Sequence, residues 1–524
     1  MKKGKIILGL VFLGLLFGGF TKVNAAETDF AACVKQEECV LESDVTIDST
    51  IDLTNDLILD LNGYTITSNV KTPNAAMQTS HTLTIKDSRG NGLFDASLGY
   101  AFYAYDGGTL ILDSGEVKAL DAPFAGNNTT GDMNFIINGG TLTALQGAAI
   151  YMPGQVNLEI NGGTLNGGIN LRMGQVTING GNIINNNPLN VDPIEDYYGY
   201  PGNVWLSDAV AIIGGTYTSE NTEYGNSLNL VINGGNFESE IGNALTIYAF
   251  GKYEQDLNLE INGGTFNGKE ISVAIEDADS LGLKDYSNVL VEDYKKFVNE
   301  VDVNITSGTF NSNVEDLLND GYKVVESDGV YNVEANLVLS TDDDKVVMES
   351  EKPLSNNYEL KVEEKDLENT DVVLNDAKNL IEESLNESET IKFNDIDVLA
   401  TYDINVYDGV DIVKIDGTDK YKISIKVALD LLSKYDFVKV VYINDEGKVE
   451  SLYDTNVENG VVSFETTHLS TYSVIGYNAD VTEVSEPAIE NPSTFDNVAT
   501  FMILGAISVI GLTISTVVLK KKHN

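Results

Sequence analysis

The sequence predicts an all-β chain: a long coil of stacked parallel strands, a smaller β-rich domain after it, and a transmembrane helix near the C terminus. Three observations carry this prediction. The unit Ile137-Asn138-Gly139-Gly140-Thr141 recurs at Ile160, Ile178, Ile232 and Ile261, with Asn replacing the final Thr in two copies. The residues ahead of each unit alternate apolar and polar, as in Val156-Asn157-Leu158-Glu159-Ile160, and a period of two is that of a strand. Val498 to Leu519 carries no charge and is long enough for the roughly 20 residues that a bilayer needs.

The N terminus reads as an export signal over residues 1–26. Lys2, Lys3 and Lys5 precede the apolar run Ile6 to Phe17, and Val23-Asn24-Ala25-Ala26 offers small residues at a cleavage point. Residues 27–44 then form an N-terminal cap. It holds both cysteines of the chain, Cys33 and Cys39, which outside the cell are expected to close one small disulfide loop.

The coil is expected over residues 45–334. Weaker copies of the unit stand at Leu112-Asp113-Ser114-Gly115, Ile213-Gly214-Gly215-Thr216 and Ile305-Thr306-Ser307-Gly308-Thr309, and degenerate first turns at Leu59 to Thr67 and Leu83 to Asp87. Units this short cannot each bury a core, so they must stack on one another. Their uneven spacing excludes a propeller, whose blades need about 40 residues or more, and no Gly-x-Asp follows the glycines as a calcium-binding nonapeptide requires. The Asn suits a ladder of stacked amides, and the Gly pair suits a corner with positive φ. No Lys follows the glycines and no helix opens there, which excludes a nucleotide loop.

On these repeats, residues 45–334 resemble the right-handed parallel β-helices of the pectate-lyase-like superfamily, in the form found on Gram-positive surface proteins. The resemblance implies architecture, with about ten coils and a rod of roughly 45–50 Å at the usual strand spacing. Two segments leave the pattern. Pro188 to Leu206 holds Tyr197, Tyr198, Tyr200 and Trp205, aromatic residues suited to stacking on sugar rings or to packing the loop onto the rod. Val289 to Asn299 suits a short amphipathic helix over the last coils.

From Ala335 the glycine units stop. Residues 335–477 are expected to form a β-rich, sandwich-like α+β domain. A helix is predicted over Val372 to Leu385, with Val373, Ala377, Leu380, Ile381 and Leu385 on one face. Strands follow at Tyr421 to Val427, Phe437 to Ile443, Val449 to Tyr453, Val461 to Phe464 and Thr471 to Tyr477. Ser463-Phe464-Glu465 and Thr467-His468-Leu469-Ser470-Thr471-Tyr472 resemble segments of the modules that precede the anchor in Gram-positive surface proteins. Residues 478–497 are an acidic stalk, 498–519 the transmembrane helix, and 520–524 a cytoplasmic tail led by Lys520, Lys521 and Lys522, as the positive-inside rule predicts. Ahead of the span, Asn491-Pro492-Ser493-Thr494-Phe495 resembles a sortase sorting signal. The resemblance implies cleavage after Thr494 by a sortase-type transpeptidase and attachment to the cell envelope. Asn491 and Phe495 depart from the commonest form of that signal, which has Leu and Gly there.

Composition narrows the function. A formal charge of −48 repels nucleic acid and anionic lipid. No EF-hand loop occurs, no cofactor motif is present, and no metal site is expected. The resemblance implies a basic residue beside calcium-binding carboxylates in lyases of this fold, and clustered Asp with Gly-His-Gly in its hydrolases. Arg172 is the only Arg within the Gly-pair repeats, no Asp pairs accompany it, and no Gly-His-Gly occurs. Glu159, Asp208 and Glu260 are the carboxylates left to test for pairing across coils. The expectation is therefore a non-catalytic, surface-anchored, adhesin-like or structural rod with a carbohydrate or host-protein ligand. The alternative is an anchored polysaccharide-active lyase or glycoside hydrolase.

Overall fold

The computed structural model describes residues 23–25, 30–126, 133–152, 155–171, 173–186, 207–213, 228–249, 257–277, 301–386, 389–414 and 417–483. Most of the expected signal peptide, the aromatic segment 188–206, the helix at 289–299 and everything from 484 onward lie outside these residues. Among the described residues no helix is long and apolar enough to cross a membrane, and the span 498–519 is not one of them.

The first unit is a coil of three parallel sheets. One coil runs Met133–Ile137 in sheet A, Thr141–Ala144 in sheet B and Ile150–Tyr151 in sheet C, and returns to sheet A at Gln155–Ile160. Sheet A has 11 strands from Val23–Ala25 to Val301–Ile305, and sheet C has nine from Ile51–Leu53 to Val273–Asp277. The register is exact within the repeats: Ile137 pairs with Ile160, and Ile160 with Ile178. Inward positions are apolar and fully buried, among them Phe135, Ile137, Leu142, Ile150, Leu158 and Ile160. Because alternate residues face opposite sides, the polar partners Asn157 and Glu159 face out. In the last coils Phe237, Phe266 and Phe310 stack, with ring centroids 4.6 and 5.0 Å apart.

The coil starts earlier than expected, under the expected disulfide cap, and its parallel pattern ends before residue 334. The stack begins ahead of residue 45, because Glu38–Leu41 already lies in sheet A, and Val23–Ala25 pairs in parallel on its outer edge. Cys33 and Cys39 are disulfide-bonded, with Cα atoms 5.2 Å apart, and Phe30 and Val34 bury beside them. At the other end the parallel pattern stops. Val330–Ala335 runs antiparallel to Gly308–Phe310 and forms a hairpin with Tyr322–Ser327.

One of the weaker repeat units departs from the pattern. Val210–Ile213 is a strand of sheet C, so Ile213 does not end a sheet A strand as the Ile of the other units does, and Gly214, Gly215 and Thr216 lie outside the described residues. The next strand of sheet A after Met173–Ile178 is Leu228–Ile232. A Gly pair after Ile mimics the unit in letters, but the strand ahead of it lacks the alternating polar residues.

Residues 338–483 form two antiparallel sheets, one from Val338–Ser340 to Asn456–Glu458 and one from Tyr358–Glu364 to Val449–Tyr453. They share a core in which Met348, Ile423 and Phe464 of the first meet Ile404, Val440 and Tyr472 of the second. The helix Thr370–Glu383, capped by the Asn369 side chain, packs Val373 and Ala377 on the outer face of the second sheet against Val441 and Ile475. Leu380 and Leu385 are only half-buried. The strand Thr471–Glu483 runs on past 477 into the expected stalk, because it pairs along Glu389–Asp408.

Candidate functional site

The A-to-B corner is uniform. Asn138 Nδ2 donates to Asp113 Oδ1 at 2.8 Å, and Asn161 to Asn138 at 3.0 Å. Asn179 donates to Asn161, Asn233 to Asn179 and Asn262 to Asn233, at 2.8, 2.8 and 3.2 Å. Thr306 Oγ1 closes the column by donating to Asn262 Oδ1 at 2.9 Å. Every rung donates toward the N-terminal end. The column therefore starts on Asp113, whose carboxylate accepts, and ends on a hydroxyl.

The two glycines of each unit have separate duties. The second takes positive φ, +85° at Gly163. The first does not, but a Cβ there would stand 3.1 Å from the Asn138 carbonyl at Gly162 and 2.8 Å from the Asn233 carbonyl at Gly263. One glycine permits the turn, and the other lets successive corners approach closely. This corner is structural, with every amide already engaged along the column.

Length variation falls elsewhere. The corner stays at three residues from Asn138-Gly139-Gly140 to Asn262-Gly263-Gly264. In the same coils the chain between sheets B and C expands at 185–209. Between sheets C and A it expands at 214–227, 250–256 and 278–300. In sequence all these extensions adjoin strands of sheet C, and Tyr197, Tyr198, Tyr200 and Trp205 belong to the B-to-C one. Those four residues lie outside the described residues, as do Arg172 and the segment Asn491, Pro492, Ser493, Thr494 and Phe495.

The outward column of sheet C runs Gln78, Tyr103, Ala125, Tyr151, Asn170, Ala211, Thr246 and Ala274. Tyr103 and Tyr151 are half-buried and stand two strands apart, about 10 Å at sheet spacing, with Ala125 between them in the register. Further along, Asn170 and Thr246 are buried, and Asn243 Nδ2 donates to Thr246 Oγ1 at 3.0 Å. The column is thus covered along most of its length: Ala125, Asn170, Ala211, Thr246 and Ala274 are buried, and Gln78, Tyr103 and Tyr151 are its partly exposed members. Sequence reading missed this column because Tyr103 and Tyr151 sit in differently spelled strands. Only the register aligns them.

The carboxylates do not form a hydrolytic pair. Glu159 and Glu260 share one column of sheet A, separated by Thr177 and Val231, so three strand steps of about 14 Å in all lie between them. That exceeds both the ~5 Å and the ~6.5–9.5 Å separations of two-carboxylate glycosidases. Both are exposed, and Glu159 accepts from Asn161 Nδ2 at 3.0 Å. Asp208 is buried and accepts from the Asn243 amide at 2.7 Å, fixing a turn beside sheet C. Among the described residues no three His, Cys, Asp or Glu side chains converge to hold a metal ion.

His468 belongs to the second unit's interior. Its Nδ1 lies 3.2 Å from Tyr472 Oη and its Nε2 3.1 Å from Tyr453 Oη, and burial holds its pKa below the ordinary value. Tyr472 Oη donates to the His468 carbonyl and meets Thr466 Oγ1 at 2.9 Å. A tyrosine bonded to the backbone four residues upstream ties the end of one sheet to the start of the next, as in other sandwiches. Burial pushes its phenol far upward. The Thr467-to-Tyr472 segment is thus a structural corner.

Compared with protein-family models, with curated proteins and with solved structures, the chain has no match.

Proposed function

We propose that the chain is an exported, surface-anchored rod that binds an extended ligand on its sheet C side and does not turn it over. The observation that carries this reading is the placement of length variation. Corners that carry no ligand stay uniform, whereas loops free to vary on a rigid scaffold are where binding resides. Here every long extension borders sheet C. The outward tyrosines of that sheet and the aromatic residues Tyr197, Tyr198, Tyr200 and Trp205 then belong to one side of the rod. A charge of −48 disfavours a polyanion, so the ligand is a neutral or basic polymer, a glycan or a host protein. Many anchored copies strengthen contacts that are individually weak.

The same reading makes the coil right-handed, the hand that strand–crossover–strand connections almost always take. It places residues 1–26 as a signal peptide and 498–519 as the span. It also makes Asn491-Pro492-Ser493-Thr494-Phe495 the signal through which a sortase-type transpeptidase attaches the protein to the cell wall. Thr494→Ala then leaves the protein in the membrane fraction, and an unchanged wall fraction reduces the segment to a plain single-span anchor.

The deciding experiment is a glycan array combined with a reducing-end assay on the intact protein. Replacing Tyr198 and Trp205 by Ala is expected to lower glycan retention or cell adhesion while leaving the circular dichroism unchanged. If the wild type instead depolymerises a glycan, and one Asp or Glu substitution abolishes that, the protein is an anchored polysaccharide-active enzyme.

A further inference from the structure

Five asparagines of the column, Asn138, Asn161, Asn179, Asn233 and Asn262, are each followed by glycine. Their side chains are exposed, so water reaches them. In an unfolded chain Asn-Gly is the step most prone to lose its amide, because no side chain hinders the glycine nitrogen. That nitrogen gives up its proton and attacks the Asn Cγ. The bond from Cγ to Nδ2 breaks, ammonia leaves and a succinimide forms. Water then opens the ring to aspartate or to isoaspartate, which carries one extra methylene in the main chain.

We propose that the column is a modification site of this kind, held in check by the stacked coil and released first at Asn262. Four observations set the order. An interior rung such as Asn179 donates through Nδ2 at 2.8 Å and accepts on Oδ1 at 2.8 Å, so Cγ cannot turn toward the chain without breaking both bonds. Asn161 has a third tie, to Glu159. At Asn138 the nucleophile is also engaged, since the Gly139 amide donates to the Leu112 carbonyl at 3.3 Å. Asn262 is held least: its donated bond is the longest, 3.2 Å, and its acceptor is served by a hydroxyl that also lies 3.4 Å from the Ile261 carbonyl.

The product damages the column in a defined way. Aspartate at an interior rung sets an oxygen against the oxygen of the preceding rung, where a donor stood. Only at the N-terminal start is a carboxylate compatible, and there the chain already has Asp113. Isoaspartate lengthens the main chain at a corner so close to the previous one that a Cβ on its first glycine would stand 2.8 Å from the Asn233 carbonyl at Gly263.

The test follows deamidation by peptide mass mapping of the full chain at pH 8, native and in denaturing urea. Asn459-Gly460, which stands outside the column, is the comparator in the same molecule. In urea all sites are expected to react alike. In the native protein Asn161 and Asn179 are expected to react about thirtyfold more slowly than the comparator, the factor two net hydrogen bonds supply. Asn262 is expected to lead the column, and Thr306→Val to accelerate it by about fivefold without changing Asn161. Column rates equal to that of Asn459 overturn the proposal. So does a native slowing that Thr306→Val leaves untouched at Asn262, because the fold and not the rung would then be protecting the site.

Discussion

Asn233 donates to Asn179 Oδ1 at 2.8 Å across 54 positions of sequence, while the rung below it spans only 18. The bonds have the same length although one coil carries a long excursion. Closing a longer loop costs only about 0.6 kcal/mol per doubling of its length, which one additional buried apolar contact offsets. The coil can therefore carry insertions beside sheet C while its corner column stays in register.

The corner glycines separate two costs. A side chain at Gly163 meets both positive φ and a Cβ position 2.9 Å from the Gly139 and Gly140 carbonyls. At Gly90 φ is +82° and nothing lies within 4 Å. Gly90→Ala is expected to cost about 1 kcal/mol from backbone strain alone, and Gly163→Ala about 2–3 kcal/mol. Chemical denaturation of both variants checks this. Equal losses would remove crowding from the account of the corner.

The stacking phenylalanines give a larger effect. Phe266 is fully buried between Phe237 and Phe310, with near-parallel rings. Phe266→Ala removes both contacts and leaves a cavity that the parallel strands cannot close, at an expected cost of about 3–5 kcal/mol. Phe266→Leu is expected to lose less than half of that. Native-state hydrogen exchange in Leu257–Ile261 and Gly308–Phe310 reads the effect, and unchanged protection in the Ala variant would contradict it.

What the sequence disclosed follows from which contacts are local. The strand alternation around Leu158 and Ile160 and the Asn-Gly-Gly corners are written in neighbouring letters, so the parallel coil was legible. The three-sheet path was not, because Val210–Ile213 reads like the end of a sheet A strand, and only its pairing with Ile169–Leu171 assigns it to sheet C. The 20-residue strand Glu389–Asp408 was missed because charges interrupt its pattern, as at Asp395 and Asp397, and bulges shift its register. The sheet C column of Tyr103 and Tyr151 depends wholly on stacking between coils.

His468 makes the second unit sensitive to acid. Tyr472 gives its proton to the His468 carbonyl, so Nδ1 of the neutral ring carries the hydrogen and Nε2 accepts from Tyr453. Protonation takes away that acceptor. Because burial lowers the folded pKa below the ordinary value of 6.5, the contribution is complete above that pH and is lost as pH falls through the folded value. Hydrogen exchange in Val461–Thr466, corrected for intrinsic rate, is expected to be faster at pH 5 than at pH 7.5. His468→Gln should flatten that difference. An unchanged difference in the variant would assign the sensitivity to another group.

The junction between the two units responds to acid at a lower pH. Asp320 Oδ1 accepts from the Asn356 amide at 2.8 Å, and Asn356 Nδ2 donates to the Tyr322 carbonyl at 2.8 Å. Beside them Asn336 donates from its amide to the Gly321 carbonyl, and the Leu354 amide returns a bond to the Asn336 carbonyl, each at 2.8 Å. Tyr322 begins the hairpin that closes the coil, and Leu354 is buried in the second unit's core, so these bonds couple one to the other. The Asn356 amide, and after it the Ser355 hydroxyl, hold the Asp320 carboxyl below its ordinary value of 3.8. Its contribution is therefore complete above about that pH and is lost as pH falls through the lower folded value. Asp320→Ala is expected to broaden the distance distribution between spin labels at Lys118 and Glu465 at neutral pH, and the wild type to approach that breadth only in strong acid. A variant with the wild-type distribution would show that the Asn336 and Leu354 bonds hold the junction without Asp320.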